Sequence, residues 1–179
     1  RFLMSHHITR LTRTGDQVAH VEATDPSGRY VQLRADRYVL AAGSFSTALA
    51  APLGLALPIY PAKGYSLTAP VIDPSRAYEV SLTDDEYKLV FSRYTTQDDN
   101  GTTEDRLRVA GTAELGGYGR QLNETRCRLL ARRAQELFPG AADFGHAQFW
   151  SGLRPATPSN LALIGRSHVS NLFLNTGHR

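Results

Sequence analysis

The chain has 179 residues, 41% apolar, 21% charged and 9% aromatic, which supplies a sizeable core and excludes a disordered tail. Twenty basic against 17 acidic residues leave a formal charge of +3. The bases are spread along the chain among acids, and all are arginine except Lys63 and Lys88, which argues against a nucleic-acid module.

The first forty residues read as short strands. Phe2–Thr9 alternates weakly, Gln17–Ala23 carries Val18 and Val21, Tyr30–Leu33 alternates, and Arg37–Ala42 is a nearly continuous apolar run. Turns at Thr14-Gly15-Asp16 and Asp25-Pro26-Ser27-Gly28 make this an antiparallel meander feeding one buried strand, with Arg1 already inside the first strand. No signal-peptide pattern opens the chain. A short helix is expected from Ser44, as its cap, to Ala51, with Pro52 ending it. The uncharged stretch Tyr38–Ala62 is long enough to span a bilayer, but Pro52, Pro58, Pro61, Gly43 and Gly54 would break such a helix; it reads as a buried segment.

Residues 58–72 are extended and bounded by prolines. Glu86–Arg93 alternates as a strand, with Tyr87, Leu89 and Phe91 on one face, and Arg106–Gly111 repeats the pattern. Thr95–Asp105, holding Asp98-Asp99-Asn100-Gly101, reads as the hairpin loop between them. One strong helix is expected over 124–138: Asn123 caps it, apolar residues from Cys127 to Phe138 recur at helical spacing, and Pro139-Gly140 stops it. Its basic run, Arg126 to Arg133, is then a solvated face. Cys127, the only cysteine, excludes an internal disulfide framework and a zinc ribbon and reads as a small core residue in a reducing compartment. Ala147–Trp150 and Asn171–Asn175 complete the strands.

No GxSxG, HExxH or P-loop motif is present, nor carboxylates paired at helical spacing. His6 and His7 are neighbours on an expected strand, so they point to opposite faces and share no metal; the other histidines have no ligand spacing. Two features stand out. In Gly152-Leu153-Arg154-Pro155-Ala156-Thr157-Pro158 a lone arginine sits where the chain is expected to turn, suited to bidentate carboxylate recognition or to a structural ion pair. In Tyr60-Pro61-Ala62-Lys63-Gly64-Tyr65 a lone lysine is either a cation held near an anionic or electron-accepting group, or a strand end at the surface.

Three runs carry a resemblance: ADRYVLAAGSFSTALAAPLGLALPIYPAKGYSLTAP at 35–70, DDEYKLVFSR at 84–93, and FWSGLRPATP with LIGRSHVSNLFLNTGH between 149 and 178. In this order and spacing the sequence resembles the FAD-dependent family that contains D-amino acid oxidase, glycine oxidase, sarcosine oxidase and the D-amino acid dehydrogenases. The resemblance implies an α+β or α/β fold in which a partial Rossmann-like FAD domain (1–50 and 151–179) interleaves with a substrate domain (51–150) built on a large antiparallel or mixed sheet.

The resemblance further implies FAD as cofactor and oxidation of D-amino acids, by hydride transfer from Cα to the flavin, to imino acids that hydrolyse to 2-oxo acids and ammonia. Electrons would pass to an acceptor other than oxygen, such as a quinone, in the cytoplasm or on the inner face of the plasma membrane. By the same resemblance, Arg154 clamps the substrate carboxylate and Tyr87, on the sheet, helps close over it. Lys63 and Gly64 lie beside the flavin ring, Ala42 and Gly43 form a close-packed strand end near the cofactor, and Gly177 and His178 begin a loop approaching the isoalloxazine. A glycine or sarcosine oxidase-like amine oxidase is the alternative within the family.

Two departures from the family pattern stand out. Ser159-Asn160-Leu161 replaces an Asp-Gly turn with a less turn-forming sequence. The glycine-rich βαβ unit and the continuation beyond His178-Arg179 are absent, so the chain is expected to be an interior fragment that binds no flavin by itself.

Overall fold

The computed structural model describes residues 2–97 and 100–178; Arg1, Asp98, Asp99 and Arg179, which enter the expected first strand, hairpin loop and chain end, lie outside the described residues. The chain divides into two compact units, Arg1–Pro61 with Arg154–Arg179, and Ala62–Leu153. Among the described residues, three sheets and a single long helix make the fold α+β.

In the first unit, β1 (His7–Thr14), β2 (Gln17–Thr24) and β3 (Tyr30–Leu33) form the antiparallel meander. β1 starts five residues later than the weak alternation at Phe2 suggests: residues 2–6 include a turn in which Met4 O lies 2.8 Å from His6 Nδ1, so His6 precedes the strand. β4 (Tyr38–Leu40) leaves the meander and pairs in parallel with β11 (Leu172–Thr176), which is flanked on its other side by antiparallel β10 (Leu163–Arg166). Asn171 ties these layers together. Its Oδ1 accepts from Val18 N (2.8 Å) and its Nδ2 donates to Val18 O (3.0 Å), replacing a missing strand partner for the meander.

The helix after β4 is shorter than expected. A 3-10 turn at Gly43–Phe45 leads into α1 (Ser46–Ala50), so Phe45, not Ser44, occupies the cap position and no side chain caps it. Pro52 does not end the helix; it opens a second 3-10 turn, Ala51–Leu53, which Gly54 closes at φ +80°. From there Leu53, Leu55, Leu57 and Ile59 are buried and alternate with exposed residues, covering a core built on Leu11, Val18, Tyr38, Leu40 and Leu172. The uncharged stretch is therefore a short helical segment followed, after Gly54, by an extended one, and no helix among the described residues is long and apolar enough to cross a membrane.

The second unit holds most of a five-stranded sheet in the order β6 (Leu82–Asp84), β7 (Leu89–Gln97), β8 (Thr103–Glu114), β5 (Tyr60–Pro70), β9 (Gln148–Ala156). Tyr65, Leu67, Ala69, Leu89, Phe91, Leu107 and Val109 line one face and pack against Cys127, Leu130 and Ala134 of α2 (Glu124–Leu137). Asn123 caps α2 as expected, its side chain accepting from Thr125 N (3.0 Å) and Arg126 N (3.3 Å). Cys127 is buried, which pushes its thiol pKa up and suits a core residue.

Several element boundaries differ from expectation. Tyr87 is not on the sheet: residues 85–88 form a turn between β6 and β7, held by Asp84 Oδ1 accepting from Glu86 N (3.0 Å) and Tyr87 N (3.2 Å). Strands β7 and β8 run further into the predicted loop, their register carrying to Gln97↔Thr103. The Gly152–Ala156 segment does not turn, because β9 continues through Arg154 and Pro155. As the edge of its sheet, β9 has a free side on which a residue without an N–H is tolerated. The turn falls instead at Ser159-Asn160, where Asn160 takes φ +59° and its N–H donates to Thr157 O (3.1 Å), so this sequence turns readily after all.

Candidate functional site

β4 and β11 run side by side in the same direction, with Leu172 opposite Tyr38 and Leu174 opposite Leu40, so their carboxyl ends open at one place. Crevices of that kind are where parallel sheets bind nucleotide ligands. Ala42 and Gly43 follow β4, Gly177 and His178 follow β11, and Thr176 joins the two ends by donating from Oγ1 to Gly43 O at 3.2 Å. Four of the residues singled out in the sequence are thus gathered in one unit.

Both glycines have a physical reason to be glycine. Gly43 takes φ +54° and Gly177 φ +76°, conformations costly for other residues. A side chain at Gly177 would press on Thr157, 3.0 Å away, whereas a Cβ at Gly43 would meet nothing within 4 Å. Gly43 therefore shows bare backbone to open space at a parallel strand end, a surface that suits close approach of a dinucleotide such as FAD. The sequence reading missed Ser46 and Thr176, fully buried hydroxyls 2.7 Å apart, because 130 positions separate them and only the β4–β11 pairing brings them together.

In the second unit, Lys63 is not a surface strand end. It is 6% exposed, and its Nζ donates to Gln121 O (3.0 Å) and lies 3.3 Å from Glu114 Oε2, its cross-strand partner on β8. Tyr65 Oη also donates to that Glu114 oxygen, Arg126 Nε approaches it at 3.5 Å, and both cations lie over the Tyr65 ring. The hydrogen bond from Tyr65, helped by Lys63 and Arg126, holds the Glu114 carboxyl below the usual range, and the same cluster holds the Lys63 ammonium above its own. Gly64 lies between Lys63 and Tyr65, opposite a bulge whose extra residue is on β8, where Thr112 takes φ +54°. Only the isolation of Lys63 in an uncharged stretch marks this cluster in the sequence; Glu114, Gln121 and Arg126 carry no local signal.

Tyr87 is half-buried in the turn before β7, with the Arg133 guanidinium 4.6 Å from its ring centroid. Arg133 also donates from Nε to Asp84 Oδ2 (2.6 Å), and this bond holds Asp84 below the usual carboxylate range. The Tyr87 ring is thus engaged by α2.

Arg154 is half-buried on β9, on the strand face it shares with Trp150 and Gly152. The Trp150 indole folds over Gly152, whose Cβ would lie 2.1 Å from its Cη2. Gly152→Ala is accordingly expected to swing this indole, 60% exposed already, out into solvent at a cost below about 1 kcal/mol. Because Trp150 is the sole tryptophan of these 179 residues, the shift in this chain is read directly as a redder emission maximum. Among the described residues no group of three or more His, Cys, Asp or Glu could hold a metal ion.

The chain is 47% identical over 171 residues to a D-amino acid dehydrogenase of Dechloromonas aromatica (strain RCB), covering 96% of this chain and 39% of the relative. It is 49% identical over 171 residues to a D-amino acid dehydrogenase of Paramagnetospirillum magneticum, covering 96% and 37%. It thus spans about two-fifths of the length of these curated relatives. Among solved structures, glycine oxidase from Geobacillus kaustophilus superposes with a TM-score of 0.69 at 22% identity, covering 97% of this chain and 42% of that one. L-proline dehydrogenase from P. horikoshii superposes with a TM-score of 0.69 at 16% identity, covering 96% and 44%; at these identities the likeness is one of fold. The sequence matches the DAO family, described as FAD dependent oxidoreductase, over residues 1–179, and the chain belongs to that family.

Proposed function

We propose that the full-length protein is an FAD-dependent dehydrogenase that oxidises D-amino acids to imino acids, which water converts to 2-oxo acids and ammonia. The observation that carries this reading is the identity of 42–49%, over 96–99% of the chain, to relatives named D-amino acid dehydrogenase. It is supported by the glycine-lined end of the β4–β11 pair, which suits a dinucleotide.

In this reading Ala42, Gly43, Gly177 and His178 form the cofactor wall of the first unit, and Gly64 is the flavin-contacting residue of the second. FAD, when bound, supplies the two-electron acceptor. Lys63, next to Gly64, has its charge already balanced by Glu114, so it acts as a support for β5. Arg154 holds the substrate carboxylate through paired N–H donors and so orients the Cα–H bond, a contribution of positioning. Tyr87, with its ring against Arg133, shapes the second unit, and carboxylate recognition rests on Arg154.

The acceptor is proposed to be a quinone reached from the cytoplasmic side of the membrane. Incubation of the purified full-length protein with D-alanine is expected to reduce a quinone-analogue dye without stoichiometric hydrogen peroxide. Peroxide formation at the rate of substrate loss would instead establish a glycine oxidase-like amine oxidase.

A further inference from the structure

The hydroxyls of Ser46 and Thr176 form a directed chain that ends on the Gly43 carbonyl. Thr176 and Ser46 are 1% and 0% exposed, so neither hydroxyl can turn to water. A threonine hydroxyl has one proton. Thr176 gives that proton to Gly43 O (3.2 Å), so in the 2.7 Å contact Ser46 is the donor and Thr176 the acceptor. Ser46 also donates its backbone N–H to Gly43 O. The Gly43 carbonyl therefore receives two donors, one from the start of α1 and one from the end of β11, and both its lone pairs are used. A buried chain in which each member is satisfied this way is rigid, and losing one link leaves the others unpaired.

What the chain holds is the residue whose backbone is open. Gly43 sits at φ +54° with nothing within 4 Å of its missing Cβ, and its other side is fastened by the two donors to its carbonyl. Thr176 immediately precedes Gly177, so the same latch fixes the start of the Gly177–His178 segment. We infer that Ser46 and Thr176 are positioning residues that hold Gly43 and Gly177 as one wall of a flavin-nucleotide site. This rests on the FAD-binding reading above. It goes beyond that reading by assigning cofactor affinity to two hydroxyls that are themselves wholly buried.

The test compares FAD binding by the full-length protein and its Thr176→Val, Thr176→Ser and Ser46→Ala variants, by flavin fluorescence during titration of stripped protein and by the visible flavin spectrum. Valine keeps the shape of threonine and removes both bonds. It is expected to raise the FAD dissociation constant about ten-fold, the size of one buried hydrogen bond lost with its partner left unpaired, and to shift the flavin absorption band. Serine restores the hydroxyl and is expected to return affinity to within about two-fold of wild type, a rescue that a packing role for the threonine methyl would not produce. If the valine variant does not fold, Ser46→Ala carries the test, with the same direction and a smaller effect. Wild-type affinity and spectrum in both Thr176→Val and Ser46→Ala would overturn the latch while leaving FAD binding in place. A wild-type protein that takes up no FAD would overturn the underlying reading, and the latch with it, before any variant is compared.

Discussion

Arg154→Lys in the full-length protein is expected to raise KM for D-alanine so that kcat/KM falls about 10- to 100-fold, with kcat reduced less. A guanidinium presents two parallel N–H donors to a carboxylate, whereas an ammonium presents a point charge on a mobile stem. The substitution keeps the charge and loses the fork, so the loss measures geometry and lies in the range of one charge-assisted hydrogen bond. Position on the fold supports the choice: Arg154 is carried by a strand, whose backbone leaves it little freedom, and is half-buried there. Steady-state kinetics with D-alanine check it, and an unchanged KM removes Arg154 from the role.

Glu114→Gln is expected to lower the midpoint of thermal unfolding by roughly 5 °C, because one carboxylate oxygen serves Tyr65, Lys63 and Arg126 together. The neutral amide leaves the Lys63 ammonium, nearly inaccessible to water, without its counter-charge. It also releases the Gln121 end of the β8–α2 connection, which is fastened by Lys63 to Gln121 O and by Ser151 Oγ to Arg120 O at 2.7 Å.

The pH dependence of this cluster has a definite sign. The folded-state pKa of Glu114 is depressed, first by the hydrogen bond from Tyr65, so the folded protein holds its proton less tightly than the unfolded chain does. The stabilisation is present above the unfolded glutamate pKa, about 4.3, and is lost as pH falls from there through the folded value. Thermal melts of the wild type from pH 6 down to pH 3 are expected to drop more steeply than those of Glu114→Gln, which has no proton to take up. Parallel curves would show that the cluster does not stabilise the fold.

Local patterns carried much of this fold. The apolar spacing from Cys127 to Phe138 with Asn123 before it marks α2, and period-two runs mark β3, β7 and β8, because in those elements burial on one face dictates residue type directly. Tyr87 shows the limit. It continues the alternation of Leu89 and Phe91, but Asp84 accepts two backbone N–H bonds from the residues after it, and that side-chain turn outcompetes strand pairing. Pro155 errs the other way, reading as a breaker until β9 is found on a sheet edge, where the missing N–H costs nothing.

The same division runs through the site. Motif order along the chain carried the resemblance to the family and, through it, marked Gly43, Gly64 and Gly177, while Arg154 stood out as a lone arginine in an uncharged stretch. What Lys63 does was not visible: whether its charge is free or matched depends on Glu114, Gln121 and Arg126, which lie 51 or more positions away and reach it only through β5–β8 pairing and the packing of α2. Nor was the hydroxyl chain from Ser46 through Thr176 to Gly43, because a serine and a threonine are ordinary residues until parallel strands bring them within 2.7 Å in a place water does not enter. The sequence by itself determined most of the strands and the long helix from local spacing and, through its motifs, the family and the fold class that family implies; tertiary structure decided which charges are spent on one another and which backbone surface is left open, because those depend on contacts between segments far apart in the chain.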